Sequence, residues 1–174
     1  MIGGASRNVG KTSLLCKIIA HFSESYQIIG LKIKTINQDD HFFHGKDISL
    51  GNQAFNLYDE AEMNSSGDSS KMLNAGALRA YRLKTFYGNL DLSFKSFLEK
   101  RPENTLIVCE SNSLREFIIP DLFLLIKHKH ETEMKPSALR MEGLANRIIY
   151  TDGFEHSFSL NELEVINNQW LLNC

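Results

Sequence analysis

The sequence predicts an α/β fold in three layers, α/β/α, around a mostly parallel central sheet. Three observations predict it. Met1-Ile2-Gly3-Gly4 leads through a loop into an amphipathic helix and then a β-branched run, the order of a β-α-β unit. Thr105-Leu106-Ile107-Val108-Cys109 is apolar at consecutive positions, as a strand covered on both faces of a parallel sheet must be. Short apolar runs alternate with helical patterns through most of the remaining chain.

Each element has its own signal. Leu14, Leu15, Ile18, Ile19 and Phe22 recur at helical spacing, so a helix with one buried face follows Gly10. Residues 27–35 read as a strand. Residues 36–67 lack periodicity and carry Asn37-Gln38-Asp39-Asp40, several Gly and Ser, and Asp59-Glu60-Ala61-Glu62; so long a stretch is expected to be a mobile, functional loop. Asp68 is expected to cap a helix over 69–74 that Gly76 ends. A strand over 78–86 precedes a helix over 90–100 carrying Leu90, Phe94, Phe97 and Leu98. Further expectations are a strand at 122–126, a helix at 136–144 and a strand at 147–151. Ser159 with Glu162 makes a capping box for a last helix bearing Leu160, Leu163, Ile166 and Trp170. Only Met1 and Ile2 precede the first glycines, where a strand takes about five residues, so the first strand is very short or more chain precedes it.

At 174 residues and 43% hydrophobic content the chain supports one core, and 1–174 reads as a single domain. Nineteen Lys and Arg against 21 Asp and Glu leave a charge of −2, so no overall field recruits nucleic acid or an anionic membrane. Any anion must be held locally. Cys16, Cys109 and Cys174 are odd in number and form no C-x-x-C pair, which suits reduced thiols in the cytoplasm. No apolar run approaches the ~18 residues of a membrane span, and no signal core follows a basic N-terminus.

Residues 5–12 spell A-x-x-x-x-G-K-T. A nucleotide's phosphates need several backbone N–H groups converging on one point, a cation and a helix N-terminus. Ser6, Arg7, Asn8, Val9, Gly10, Lys11, Thr12 and Ser13 form the candidate cradle: Gly10 supplies the permissive turn, Lys11 reaches the phosphates and Thr12 offers its hydroxyl to Mg²⁺. Ala5 stands where the first Gly is usual. The competing reading is a glycine-rich turn with a surface lysine.

Such a cradle needs a carboxylate at the end of a neighbouring strand to help hold Mg²⁺. Glu110 follows the apolar 105–109 run, at a predicted carboxyl end, where open α/β sheets place ligands; otherwise it is a solvated acid opening a loop. Asp68 is the second candidate, or a plain helix cap. Thr12, Asp68 and Glu110 are thus the metal candidates, and Lys11, Asp68 and Glu110 the catalytic set. Lys34 either meets a phosphate or Asp68, or lies on the surface. In Asp39-Asp40-His41-Phe42-Phe43-His44 the histidines at i and i+3 suit zinc or iron, but no third spaced ligand accompanies them, and a loop closing over substrate is the preferred reading. His128 and His130 form a solvated basic strand end or face a nucleotide or partner, and Cys109 is expected in the core rather than as a reactive thiol.

These residues resemble the SIMIBI-type P-loop NTPases, and within them the molybdopterin-guanine dinucleotide biosynthesis adaptor B family. The similar parts are GGASRNVGKTSLLCKII, LKIKT before a His-containing loop, GDSSKMLNAGALRA and the strand-end acid of LIVCESNSL, in order over most of 1–130. MKPSALRMEGLANRIIYTD is similar to the Lys-Pro-Ser-Ala segment and following strand of related enzymes. The resemblance implies a three-layer P-loop NTPase that binds GTP with Mg²⁺ and hydrolyses it weakly. It also implies a partner enzyme that attaches a nucleotide to the molybdenum cofactor, and a homodimer. In it Lys11 and Thr12 serve the phosphates and Mg²⁺, while Asp68 and Glu110 complete the metal and water sites. The chain departs from that family at Glu110-Ser111, in the altered loop Asn37-Gln38-Asp39-Asp40-His41, and in the insertion at 59–62. It lacks an N-K-x-D base-reading motif, for which Thr151-Asp152 is a feeble substitute, so GTP and ATP both stay open. Val-Gly-Lys-Thr also resembles dethiobiotin synthetase, an ATP-dependent ligase, and small-molecule kinases; a non-catalytic interaction module is the third alternative.

Overall fold

The computed structural model describes residues 1–36, 50, 53–60, 67–130 and 133–173. In chain order these form β1 (Ile2–Gly4), α1 (Lys11–Phe22), β2 (Ile28–Ile36), β3 (Phe55–Glu60), α2 (Asp68–Asn74), β4 (Arg79–Phe86) and α3 (Leu90–Lys100). There follow β5 (Leu106–Glu110), β6 (Leu124–His128), α4 (Pro136–Met141), β7 (Arg147–Thr151), β8 (Leu163–Ile166) and β9 (Gln169–Leu172). Seven strands make one sheet in the order β3-β4-β2-β5-β1-β6-β7. All its neighbours pair in parallel except β3 with β4. The architecture is therefore α/β with a mostly parallel central sheet and helices on both faces.

The alternation of side chains along each strand divides the core into two layers. Ile28, Leu106, Val108, Leu124 and Ile126 face Leu14, Leu15, Ile18 and Ile19 of α1 and Met72 of α2. Ile29, Leu31, Ile33, Tyr81, Leu83 and Cys109 face Leu90, Phe94 and Phe97 of α3. Each fully buried Leu, Ile or Phe contributes about 1.5–3 kcal/mol of transfer free energy, so α1 is held mainly by its apolar stripe. No side chain caps it: Gly10 occupies the N-cap. The expected strand buried on both faces is β5, lying between β2 and β1.

Four expectations need correction. The last helix is absent: Leu160–Glu162 form one 3-10 turn, and 163–172 fold as the antiparallel hairpin β8–β9. The capping box is present, with Ser159 accepting from Asn161 and Glu162 accepting from the Ser159 amide, but it caps that turn only. Within 36–67, Phe55–Glu60 is regular and forms edge strand β3; the Asp39–His44 cluster lies outside the described residues. Asp68 is the first residue of α2 rather than its cap, which is Gly67. Helix α4 stops at Met141 and passes into a 3-10 turn over Glu142–Leu144. Gly76 does end α2, at φ 101°, with its N–H on the Leu73 carbonyl and that of Ala77 on the Met72 carbonyl. Strand β1 is short, three residues.

Candidate functional site

The parallel arrangement collects the carboxyl ends of β1, β5 and β2 at one rim of the sheet. From β1 the chain leaves toward β2, and from β6 toward β7, so the loops part above β1. Open α/β sheets bind ligands in such a crevice.

Residues 5–10 fill it. Ala5 extends β1: its N–H donates to the Ile126 carbonyl at 2.8 Å and its carbonyl accepts from Lys135 at 2.9 Å. Its φ is not positive, so alanine costs nothing at this position. Asn8 and Gly10 have φ of 57° and 90°, with Val9 between them outside that region. Left-handed residues set in such a turn are what anion nests use to aim successive amides at one point. Gly4 is required by close approach, because a Cβ there would meet Val9 Cγ1 at 2.6 Å and Lys11 Cδ at 2.8 Å. The Lys11 stem lies against Gly4 of β1, and its ammonium donates to the Ser6 carbonyl at 3.1 Å. Burial lowers the Lys11 pKa and the nearby Lys32 charge adds to this, against the opposing pull of Glu110.

The Thr12 hydroxyl donates to Glu110 Oε2 at 2.7 Å. Glu110 is buried, and it shares the α1 face of β5 with Leu106 and Val108. The pairing of β2 with β5 sets Lys32 beside Glu110, with Nζ 3.5 Å from Oε1. The same ammonium hydrogen-bonds Asp68 Oδ2, and Lys71 reaches the other Asp68 oxygen at 3.3 Å. Burial alone would lower the Lys32 pKa; the Glu110 charge and the Asp68 hydrogen bond outweigh it and hold it above the usual value. Burial pushes Asp68 up, but its bonds to Lys32 and Lys71 prevail and leave it below the usual carboxylate range. Thr12 and Glu110 are thus in direct contact, and Asp68 is tied to Glu110 only through the Lys32 ammonium; their oxygens are of the type hard cations such as Mg²⁺ take. Among the described residues no group of three His, Cys, Asp or Glu side chains is placed to hold a metal by itself.

Three residues escaped the sequence reading. Lys32, two positions before Lys34 on the same face of β2, is the lysine that meets Asp68. Asn112 donates to the Gly4 carbonyl at 3.0 Å and accepts from its N–H at 2.8 Å, extending the sheet by a side chain. His156 lies over the loop: a Cβ on Gly10 would meet its Nε2 at 2.8 Å. Both its ring nitrogens are shielded from solvent, and the Gly10 backbone beside the ring favours its protonated form. Burial lowers its pKa, and Lys17 acts in the same direction. The alternation of β2 puts Lys32 and Lys34 on one face but leaves open which of them meets the acids, which the β2–β5 register decides; nothing local pointed to His156.

The remaining candidates are elsewhere. His128 and His130 lie with ring centroids 5.9 Å apart and planes tilted by 55° at the end of β6. Asp152 accepts from the amides of Phe154 and Glu155 and pairs with Lys129, the work of a turn. Cys109 lies in the core as expected, and burial pushes its thiol up to about 12. Among the described residues no helix is long and apolar enough to cross a membrane. No model of a known protein family, no curated protein and no solved structure matches this chain.

Proposed function

We propose that the chain is a P-loop protein that binds a nucleoside triphosphate, GTP or ATP, with Mg²⁺ and hydrolyses it slowly. The observation that carries this reading is the Thr12–Glu110 hydrogen bond. It joins the first turn of α1 to the carboxyl end of β5, beside a loop that has the left-handed residues anion nests use and that folds Lys11 inward. The first turn of α1 contains no acidic side chain, so its free N–H groups and dipole are left for an anion. In this reading the loop amides and Lys11 bind the phosphates, Thr12 and Glu110 hold Mg²⁺ with Asp68 beside them, and Glu110 orients the attacking water. The metal supplies charge neutralisation at the phosphates. We extend the proposal, on the resemblance of residues 1–130, to an accessory role beside an enzyme of molybdenum cofactor biosynthesis.

Titration with GTP and ATP, with and without Mg²⁺, followed by phosphate release, tests it. Lys11→Ala is expected to cost at least tenfold in triphosphate affinity, about 1.4 kcal/mol or more, with the fold intact by circular dichroism. Unchanged affinity would remove the reading. Glu110→Gln keeps an acceptor for Thr12 and is expected to reduce Mg²⁺-dependent turnover more than binding. Phosphate release only with an added small molecule would make the protein a kinase or ligase instead.

A further inference from the structure

We infer that Lys32 is a resident cation at the proposed metal position, so that a divalent cation enters only together with a nucleotide's phosphates. The inference rests on the reading that Thr12, Asp68 and Glu110 surround that position. The Lys32 ammonium bridges Asp68 and Glu110, the two carboxylates a cation would use. It is placed there by the backbone, since Lys32 is directly opposite Glu110 in the β2–β5 register. Lys71 occupies the second Asp68 oxygen, and Lys11 stands in the same field. Two ammonium groups thus engage the two carboxylates directly, and Lys11, bonded to the Ser6 carbonyl, adds a third positive charge nearby. A bare divalent cation must displace an ammonium from a half-buried ion pair and enter a site of net positive charge. A triphosphate reverses that sign: it satisfies Lys11, offers Lys32 a second anionic partner and frees the carboxylate oxygens. Anion and metal binding are then positively coupled, and by linkage each strengthens the other equally.

The test measures binding of Mg²⁺ alone, and of Mg²⁺ with tripolyphosphate, by isothermal titration and thermal shift. Wild type is expected to show no saturable binding of Mg²⁺ alone. Lys32→Met, which leaves the carboxylates without their ammonium, is expected to bind Mg²⁺ alone at least about tenfold more tightly than wild type and to be stabilised by it. The double variant Lys32→Met, Glu110→Gln should lose that gain, which a merely structural role for Lys32 would not produce. Wild type binding Mg²⁺ alone as tightly as Lys32→Met, or no gain in the variant, overturns the inference. Should Lys32→Met not fold, Lys32→Gln carries the same comparison. Absence of tripolyphosphate binding in every protein would instead sink the nucleotide reading, and the Mg²⁺-only measurements would still decide the role of Lys32.

Discussion

Gly10 joins two requirements in one residue. Its φ of 90° is a left-handed conformation that costs an L-residue roughly 1–2 kcal/mol, and the space where a side chain would start is taken by His156 Nε2. Gly10→Ala is therefore expected to destabilise the protein by about 1–3 kcal/mol in urea unfolding, the range for overpacking a filled site. The two causes are separable. His156→Ala opens the space without touching the backbone, so the double variant should recover the contact part of the loss while the strain part stays. A coupling of about 0.5 kcal/mol or more between the two substitutions is expected; strict additivity would mean that the imidazole does not press on the loop.

Among the elements, those set by local periodicity were legible and those set by pairing were not. Helices α1 and α3 show their stripes directly, and β5 announces burial on both faces. The C-terminal hairpin was misread because Leu160, Leu163, Ile166 and Trp170 also fit a helical spacing. Yet Leu163 opposes Leu172 and Val165 opposes Trp170 across one face, and Asn167-Asn168 between β8 and β9 adopts φ of 51° and 62°, a two-residue turn of type I′. Edge strand β3 exposes Tyr58 and Asp59 side by side and buries none of its six residues fully, so its sequence shows no alternation. At the site the division is the same. Thr12 and Glu110 follow from a motif and a strand end, whereas Lys32 depends on how β2 registers against β5, a tertiary fact. Because Gly is favoured at the second turn position, Asn168→Gly is expected to raise stability by about 0.3–1 kcal/mol. The fluorescence of Trp170, the single tryptophan, reports this unfolding, since its ring packs edge-on against Phe22 at 5.1 Å. A lower midpoint for the variant would contradict the turn assignment.

At the scale of the molecule, the strand order places the carboxyl ends of β1, β2 and β5 side by side, and the segment after β7 then folds back across the loop of residues 5–10. That return is fixed by the bridge between Thr151 and His156 and by the Ser157 amide on the Tyr150 carbonyl at 2.7 Å. The closure has a pH signature. His156 is pushed down by burial and by Lys17, which outweigh the opposing pull of the Gly10 backbone and of Asp152, so the folded state binds its proton less readily than the unfolded chain, whose histidines titrate near pH 6.5. The unfolded state therefore holds more protons once pH falls below that value, and stability must decline from there down through the folded-state pKa. Above it His156 contributes no slope. Urea midpoints measured from pH 8 to pH 5 are expected to drop on the acid side in wild type and to drop less in His156→Gln, which keeps a polar side chain of similar reach without a titrating group. Parallel profiles for the two proteins would show that the imidazole is not buried against Gly10 in solution, and the closure of the C-terminal segment over the loop would have to be abandoned.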